Sequence, residues 1–396
     1  MEGKKALRQR GRRDKEKSGR AGQLALLAAA WAMLLLLFLG KKDVVFSQAE
    51  NRYLQTRPDW SWKAFRSGAY GEELEKWFSD QLPGRDDWVR GKTLLARALG
   101  RRENQGIYFG KESWLLESFQ EYDAGVYQKN LESVSGFLGV MEEQGIQGYL
   151  LLAPTAGEVL PANLPAFAPE VSQDRLLSQA EAQVPGTIRV EEALKAHSDE
   201  YIYYRTDHHW TSLGAYYAYE EFRKQTGREA LPRHAYEEEI LSKDFYGTSY
   251  ARAGSYGIPP DSITAMYLPG MEKPGTEAEK GDGEAIAVDY GDGQVFHTLY
   301  DRSFLEKRDQ YRVFLKGNYP LVTIRTNADN EKKLLLVKDS YANTFVQFLT
   351  GDYREIQMVD LRYFKASLME YAAEQEFTEI LVLYQIKKFA QDTIEF

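Results

Sequence analysis

The segment KKLLLVKDSYANTFVQFL, residues 332–349, combines the two patterns that decide the fold of this chain. The continuous apolar run at 334–337 is typical of a strand that is buried on both faces of a parallel sheet. The strand ends at Lys338 and Asp339, Ser340 follows at once, and YANTFVQFL is interpreted as a helix. A strand that passes directly into a helix is the repeating unit of an α/β domain.

The same alternation recurs on both sides of this segment. Strands are predicted at GYLLLAP (148–154), EIQMVD (355–360) and EILVLY (379–384), and a helix is predicted at 365–376. A further helix precedes the first of these strands, because one apolar stripe with helical spacing is formed by Tyr127, Leu131, Val134, Leu138 and Met141. Strands that alternate with helices in this way predict an α/β domain with a mainly parallel sheet.

The N-terminal 40 residues have the pattern of a membrane anchor. Residues 1–20 carry nine Lys or Arg against three acidic residues, and residues 21–40 carry no charge. At about 1.5 Å per residue, this uncharged segment is long enough for a hydrocarbon core of about 30 Å. We expect an uncleaved signal anchor, because cleaved signal peptides have a shorter apolar region of about 7–15 residues. The basic flank places the N-terminus in the cytoplasm and residues 41–396 outside the cell membrane.

The rest of the chain divides into a neck and one large domain. Residues 41–105 are interpreted as a linker and a helical neck, in which Pro83-Gly84 separates two short helices. Residues 106–396 are predicted to form the α/β domain. The segment 269–294 is rich in Gly, Glu and Pro and is interpreted as a surface insertion, with a hairpin at 291–293.

The composition excludes several classes of function. The net charge of −9 is spread along the chain and argues against a nucleic-acid partner. The absence of cysteine excludes disulfides, a cysteine nucleophile and Cys-ligated metal sites. No cofactor is predicted. The 26 tyrosines suit a carbohydrate-binding surface, but strands also favour tyrosine.

Two of the five histidines are adjacent in the segment YIYYRTDHHWTSLGAYYAYEEF, residues 201–222. YIYY is interpreted as a strand and DHHW as the loop at its end, before a helix that is capped by Thr211 or Ser212. Asp207 lies two residues before His209, so its carboxylate can hold one imidazole nitrogen and leave the other to act as a base. A purely structural polar turn has the same pattern.

Ser340 occupies the equivalent place after the strand at 334–337. The backbone N–H groups of Ser340 and Tyr341 are then at a helix N-terminus, where they can stabilise an oxyanion. This is the strand–turn–helix arrangement of a nucleophile elbow without its flanking glycines. A serine here can equally be an N-cap. Together with Asp207 and His209, it supplies the parts of a Ser/His/Asp site at the carboxyl edge of the sheet.

A metal site is the main alternative for the two histidines. Adjacent histidines in an extended chain point to opposite sides, which disfavours the binding of one ion by both. His197, His234 and His297 have no ligand-like spacing. The further Asp clusters of the Asp-His-His manganese phosphoesterases do not occur either. The sequence therefore predicts no metal ion, with a metal phosphoesterase kept as an alternative.

The segments TDHHW (206–210) and KDSYANTF (338–345) together resemble the DHHW proteins of Gram-positive bacteria. These are relatives of the SGNH-hydrolase-like proteins that O-acetylate exopolysaccharides such as alginate. The similarity covers most of residues 46–396 and includes AENRYLQTRPDWSWKAF, FSDQLPGRDDWV, GIYFGKESWLLE, APTAGEVLPANLP and FTEILVLYQI in the same order. The APTAGEVLPANLP segment lacks the Lys and Tyr-Pro-Glu that are usual in the family.

The resemblance implies an SGNH-hydrolase-like three-layer sandwich and a role for each site residue. By similarity to the acetylating relatives, Ser340 is the nucleophile, His209 is the base and Asp207 orients the base. Lys338 replaces the glycine of the Gly-Asp-Ser pattern. For His208, the residues themselves leave two interpretations: it lies beside Trp210 and shapes the acceptor site, or it simply faces solvent, which is the expectation we favour. The further candidates for oxyanion or substrate contacts are Tyr341, Gly247, Tyr384, Gln385, Trp210 and Asn343.

The resemblance also implies an activity. We expect a membrane-anchored, extracytoplasmic O-acetyltransferase that acts on a cell-envelope or secreted polysaccharide. Such a transfer implies a multi-span membrane acyltransferase as the acyl donor. The alternatives are a carbohydrate esterase of the same fold and a polysaccharide-binding module with a vestigial triad.

Overall fold

The computed structural model describes residues 42–47, 52–254, 257–269 and 285–396. The chain divides into two compact units, Met1–Lys92 and Thr93–Phe396. The predicted tail and anchor at 1–40 and most of the predicted insertion at 269–294 lie outside the described residues. Within the described ranges, no helix combines the length and the apolar character that a membrane crossing requires.

The strands of the described residues are numbered in chain order. They are β1 (Phe46–Ser47), β2 (Arg52–Tyr53), β3 (Glu103–Asn104), β4 (Ile107–Phe109), β5 (Leu115–Glu117), β6 (Gln147–Ala153), β7 (Thr187–Ile188), β8 (Glu237–Phe245), β9 (Asp261–Tyr267), β10 (Ile286–Asp289), β11 (Val295–Phe296), β12 (Leu321–Thr326), β13 (Lys333–Lys338), β14 (Glu355–Val359) and β15 (Glu379–Gln385).

The α-helices are numbered in the same way. They are α1 (Trp62–Ser67), α2 (Ala69–Asp80), α3 (Arg85–Ala98), α4 (Ala124–Glu143), α5 (Ala156–Val159), α6 (Gln173–Gln183), α7 (Glu191–Ala196), α8 (Ser212–Gln225), α9 (Thr248–Ala253), α10 (Ala342–Leu349), α11 (Leu368–Glu374) and α12 (Ile386–Gln391).

The described part of the first unit contains the antiparallel pair β1–β2 and the helices that follow it. Ser61 caps α1 by accepting a hydrogen bond from the backbone N–H of Ala64 at 3.1 Å. Gly68, with a φ of 84°, ends α1 and starts α2. A second break at Pro83-Gly84 separates α2 from α3, as predicted. This region therefore has three helices where the sequence predicted two, because the turn at Gly68 divides the first.

The second unit is built on an eight-stranded sheet with the strand order β11-β10-β12-β14-β13-β15-β6-β7. The strands from β14 to β7 are parallel, whereas β11, β10 and β12 add to one edge in antiparallel orientation. The sheet is therefore mixed, and the prediction of a mainly parallel sheet describes only part of it. The predicted hairpin at 291–293 joins β10 to β11, and a connection this short requires antiparallel strands.

Helices cover both faces of this sheet over two separate apolar cores. Leu334 and Leu336 of β13 pack into one core, to which α8 and α10 contribute. The alternate residues Leu335 and Val337 pack into the other, to which α4, α6 and α11 contribute. All four side chains are buried, and burial of each contributes on the order of 2 kcal/mol to folding. This two-sided burial explains the continuous apolar run in the sequence.

The segment YIYY (201–204) does not form the predicted strand. Among the described residues, the segment pairs with another part of the chain only through an isolated antiparallel bridge between Tyr203 and Trp210. Tyr203 is buried in the core and donates its hydroxyl to the Pro154 carbonyl at 2.8 Å. The tyrosine-rich pattern of this segment therefore reflects side chains that pack into the core, and not a strand paired in a sheet. DHHW lies in a loop that doubles back before α8, whose N-cap is Thr211, as predicted.

Candidate active site

Ser340 lies between the end of β13 and the start of α10, at the carboxyl edge of a central strand. Asp339 fixes this turn. Its Oδ1 accepts a hydrogen bond from the backbone N–H of Tyr341 at 2.9 Å, and its Oδ2 accepts one from the backbone N–H of Gln385 at 2.8 Å. Burial raises the pKa of Asp339. The buried carboxyl group thus ties the serine turn to the end of the neighbouring strand β15.

The structure brings Ser340, His209 and Asp207 into one line of hydrogen bonds. His209 Nε2 lies 2.7 Å from Ser340 Oγ, and His209 Nδ1 lies 2.5 Å from Asp207 Oδ1. The same carboxylate oxygen accepts a hydrogen bond from the backbone N–H of His209 at 3.0 Å. A carboxylate at Nδ1 favours the tautomer that carries its proton there. His209 Nε2 is then the acceptor for the serine hydroxyl.

Asp207 is held on its other side by the start of α9. Its Oδ2 accepts hydrogen bonds from the backbone N–H of Thr248 at 2.7 Å and from the Thr248 hydroxyl at 3.0 Å. Gly247 permits this approach, because a Cβ at this position would lie 2.3 Å from the Asp207 Cβ. The Gly247 N–H donates to Thr206 Oγ1 at 3.1 Å. Gly247 is therefore placed against the carboxylate, and its N–H is directed at Thr206 instead of at an oxyanion.

The surroundings of His209 and Asp207 fix their protonation states. Burial lowers the pKa of His209 to about 4, with His208 acting in the same direction and Asp207 opposing the shift. Burial alone would raise the pKa of Asp207, but His208, His209 and the hydrogen bonds hold it well below its usual range. At neutral pH, Asp207 is therefore ionised and His209 is neutral, as a base that accepts the serine proton must be.

Tyr311 lies against the imidazole of His209. The two ring centroids are 3.8 Å apart and the ring planes differ by 8°. The Tyr311 hydroxyl donates to the backbone carbonyl of Ser340 at 3.2 Å. Tyr311 was not predicted from the sequence, because it is one of 26 tyrosines and lies in a short 3-10 turn, Gln310–Val313, that carries no motif.

Trp210 and Tyr341 hold the framework around the serine turn. Trp210 is fully buried, and its Nε1 donates to the Tyr341 carbonyl at 3.1 Å and to Thr344 Oγ1 at 2.9 Å. Tyr341 directs its N–H at Asp339 and donates its hydroxyl to the carbonyl of His208. Both residues were predicted as oxyanion or substrate contacts. In the structure, these polar groups form hydrogen bonds within the protein instead.

A charged cluster lies behind the serine turn. Lys338 Nζ donates to Asn318 Oδ1 at 2.7 Å and to Asn343 Oδ1 at 2.9 Å, and it lies 3.7 Å from Asp360. Asp360 also binds Arg362 through two hydrogen bonds, from Nε at 2.8 Å and from Nη2 at 2.5 Å. Burial lowers the pKa of Lys338 to about 8, and Asp360 opposes this shift. Asn343, predicted as a substrate contact, thus binds the lysine that precedes the turn.

Ser340 opens into a cavity of about 350 Å³. The lining includes Tyr384 and Gln385 at the end of β15, where the sequence predicted substrate contacts, and the C-terminal residues 392–395. His208 also lines the cavity, with 20% of its side chain exposed and its Nδ1 2.7 Å from Thr248 Oγ1. The expectation that His208 simply faces solvent is therefore wrong.

The bend in the DHHW loop places both histidine rings close together. Their centroids are 3.9 Å apart, and ligand atoms of Asp207, His208 and His209 lie within 4.8 Å of one another. Adjacent histidines were expected to point to opposite sides, but the chain bends at these positions and brings the two rings together. Both nitrogens of His209 already have hydrogen-bond partners. A metal ion bound through His209 would have to displace Asp207 or Ser340 from it.

The fold and the site together define an α/β protein with a Ser-His-Asp constellation at the carboxyl edge of its sheet. The family model described as DHHW protein matches residues 175–359, which confirms the resemblance. The probable alginate O-acetylase AlgJ of Pseudomonas syringae pv. tomato is 23% identical over 245 residues, which is 56% of this chain and 61% of the relative. The chain thus spans about three-fifths of the length of that relative.

Two solved structures share the fold. A DHHW family protein from Eubacterium siraeum is 24% identical, with a TM-score of 0.57, and the match covers 70% of this chain and 89% of the other. Bacillus cereus PatB1, solved with a sulfonyl adduct, is 18% identical, with a TM-score of 0.59, and the match covers 72% of this chain and 98% of the other. At these identities, the likeness establishes the α/β fold.

Proposed function

We propose that this chain is an O-acyltransferase in which Ser340 is the nucleophile, His209 is the general base and Asp207 orients the base. The observation that supports this most directly is the line of hydrogen bonds of 2.7 Å and 2.5 Å that joins the three side chains. A nucleophile within reach of a base, with the base oriented by a third group, is the geometry that activates a serine hydroxyl. The pKa of His209, about 4, also supports the role of a neutral base.

The reaction consists of two acyl transfers. Ser340 Oγ attacks the carbonyl carbon of the donor, its proton passes to His209 Nε2, and the leaving group departs with that proton. An acceptor hydroxyl then attacks the acyl-serine ester and gives its proton to His209 Nε2. The intermediate formed by this second attack then collapses, and its bond to Ser340 Oγ breaks. Ser340 Oγ takes back the proton from His209, and the acylated acceptor is released. Asp207 stabilises the imidazolium in both halves.

The proposed acyl group is acetyl, and the proposed acceptor is a hydroxyl group of a cell-envelope or secreted polysaccharide. The support is the similarity to a relative named as an alginate O-acetylase, together with the DHHW family match. Bacillus cereus PatB1, which shares the fold, was solved with a sulfonyl adduct. In this chain, Ser340 is the side chain that we expect a sulfonyl reagent to modify, because His209 activates it.

The proposal includes a location at the cell membrane. Residues 21–40 would form a single-pass anchor, with the basic residues 1–20 in the cytoplasm and the catalytic domain outside. A multi-span membrane acyltransferase would then be the partner that delivers the acetyl group across the bilayer to Ser340.

Ester cleavage by the full-length protein tests the proposal. With p-nitrophenyl acetate, Ser340→Ala and His209→Ala should each lower kcat/KM by about 100-fold or more, because each removes an essential part of the triad. Ser198→Ala is the matched control, since Ser198 is exposed, and it should retain wild-type activity. Equal, background-level rates in all four proteins would contradict the proposal.

A carbohydrate esterase is the second candidate, because the same residues can pass the acyl group to water. The Ser340 cavity has a volume of about 350 Å³, which is enough for water as well as for a sugar hydroxyl. Added oligosaccharide distinguishes the two functions: a transferase diverts the acetyl group to the sugar, whereas an esterase releases acetate at an unchanged rate. A metal phosphoesterase would instead lose its activity on treatment with a chelator.

A further inference from the structure

We propose that residues 392–395 form the acceptor-binding wall of the Ser340 cavity, that Asn130 positions this wall, and that the acceptor is an uncharged, hydroxyl-rich glycan. We call residues 392–395 the C-terminal wall. The inference rests on the proposed acyltransferase function and adds the element that selects the acceptor. Its starting observation is that the whole segment lines the cavity into which Ser340 opens.

Asn130 binds the C-terminal wall through every polar atom of its side chain. It lies on α4, is 0% exposed and has apolar neighbours on the same helix such as Tyr127 and Leu131. Its Nδ2 donates to the carbonyls of Phe389 at 2.7 Å and Asp392 at 2.8 Å. Its Oδ1 accepts from the backbone N–H of Ile394 at 3.0 Å. A buried amide is stable only when it is hydrogen-bonded, and here all three bonds go to one short segment of chain.

Apolar contacts fix the wall further along. Ile394 is 6% exposed and packs into the core that Asn130 adjoins. The Phe396 ring lies 5.6 Å from the Phe137 ring, measured between centroids. With Ile394 turned inward, Asp392, Thr393 and Glu395 remain exposed and line the cavity. The backbone that carries these polar side chains is therefore held in position before a ligand arrives, which lowers the entropic cost of binding.

The charges of the lining determine which acceptor fits. Arg362 binds Asp360, a carboxylate that it shares with Lys338, and Lys388 Nζ lies 3.7 Å from Asp392 Oδ2. Glu395 adds a further carboxylate. The lining cations Arg362 and Lys388 thus face three lining carboxyl groups, those of Asp339, Asp392 and Glu395, so a polyanionic glycan would meet no net attraction. The hydroxyl groups of an uncharged sugar can instead donate to these carboxylates and bind Thr393.

The experiment follows the fate of the acetyl group in the full-length protein. p-Nitrophenyl acetate is the donor, chitopentaose is the uncharged acceptor and pentamannuronate is the acidic one. Release of p-nitrophenolate measures acylation of Ser340, and mass spectrometry of the oligosaccharide measures transfer. We expect the wild type to acetylate chitopentaose about 10-fold faster than pentamannuronate, which corresponds to about 1.4 kcal/mol of discrimination.

Variants of the wall and of its support then separate acceptor binding from acylation. Thr393→Val combined with Glu395→Gln should lower transfer to chitopentaose about 10-fold, the effect of one or two lost hydrogen bonds, while p-nitrophenolate release stays within about 2-fold. Asn130→Asp retains the size of the side chain but loses both donors. It should raise the KM for chitopentaose about 10-fold without a matching fall in the acylation rate. Glu374→Gln, at an exposed residue outside the cavity lining, is the matched control.

The outcomes that overturn the inference differ from those that overturn the proposed function. Unchanged transfer in the Thr393 and Glu395 double variant overturns the inference and leaves the acyltransferase intact, even if the Asn130 variant fails to fold. The same holds if pentamannuronate is the better acceptor. If the wild type releases p-nitrophenolate but acetylates neither oligosaccharide, the inference is overturned, and the result favours the esterase over the transferase. If the wild type releases no p-nitrophenolate above background, the proposed function fails, and the inference fails with it.

Discussion

Tyr311 stacks on His209, with the ring centroids 3.8 Å apart and the ring planes within 8° of parallel. Asp207 fixes the edge of the same imidazole through Nδ1, and Tyr311 covers its face. The Tyr311 hydroxyl also binds the carbonyl of Ser340. The base and the nucleophile are therefore held by one aromatic side chain from a separate segment of the chain.

Replacement of Tyr311 tests this contact. Tyr311→Phe keeps the stacked ring and loses the hydrogen bond to Ser340, so kcat/KM for p-nitrophenyl acetate should fall by about 3-fold. Tyr311→Leu also loses the aromatic face and should lower kcat/KM by about 10-fold or more. Thermal unfolding of both variants shows whether they are folded. An equal fall in kcat/KM in Tyr311→Phe and Tyr311→Leu would mean that the aromatic ring does not position His209.

Gly247→Ala should disable the site through Asp207. The added Cβ would lie 2.3 Å from the Asp207 Cβ, so the carboxylate must move away from His209. A displacement of about 1 Å in a triad lowers activity by about 100-fold. The measurement is kcat/KM for p-nitrophenyl acetate in folded protein.

Gly136→Ala is the control for this substitution. Gly136 lies within α4, and a Cβ there would meet nothing within 4 Å. Its replacement should leave activity unchanged and should raise the free energy of unfolding by about 0.5–1 kcal/mol, because alanine is the better helix former. Full activity of Gly247→Ala would show that the position of Asp207 does not matter.

The hydroxyl of Thr248 is the second support of Asp207. Thr248→Val removes the bond from this hydroxyl to Asp207 Oδ2 and the contact with His208 Nδ1, while the backbone N–H of residue 248 still binds the carboxylate. A hydrogen bond to a charged group is worth about 1.5–3 kcal/mol, so we expect a loss of about 10-fold in kcat/KM. Thr248→Ser retains the hydroxyl and should stay near wild type. An equal loss in both variants would argue for a packing effect.

The pH dependence of ester cleavage reports the state of His209. The base must be neutral, and its pKa is lowered to about 4. Activity is therefore present above this pKa and is lost as the pH falls through about 4, well below the usual value of 6.5. We expect a flat profile for kcat/KM between about pH 5 and 7. Circular dichroism at each pH excludes acid unfolding. An acidic limb near pH 6.5 would show that burial does not control the base.

The sequence predicts the part of the fold that depends on continuous apolar runs. The buried strands β6, β13, β14 and β15 and the helices α4 and α10 were all predicted near their observed positions, because a strand buried on both faces leaves a clear signal. The hairpin between β10 and β11 was predicted, but their place in the main sheet was not, because β10 lies within residues 269–294, which were interpreted as a surface insertion. YIYY was misassigned because tyrosine and isoleucine suit a strand and a buried loop equally well.

The sequence predicted the three residues of the candidate site, but not the residues that hold the site in place. Ser340, His209 and Asp207 lie in motifs, and the structure brings them together. Tyr311 and Asn130 act through contacts that link distant parts of the chain, and no local spacing marks them. The prediction for His208 was wrong, because the position of its side chain depends on a bend in the loop that a motif of four residues does not reveal.

The most direct test of the account is the identity of the side chain that reacts with phenylmethanesulfonyl fluoride. We expect one sulfonyl adduct per chain, located at Ser340 by peptide mass spectrometry, absent in Ser340→Ala and strongly reduced in His209→Ala, because the neutral imidazole activates the hydroxyl. An adduct on another residue, or no adduct while Ser340 and His209 remain hydrogen-bonded, would contradict the claim that Ser340 is the activated nucleophile.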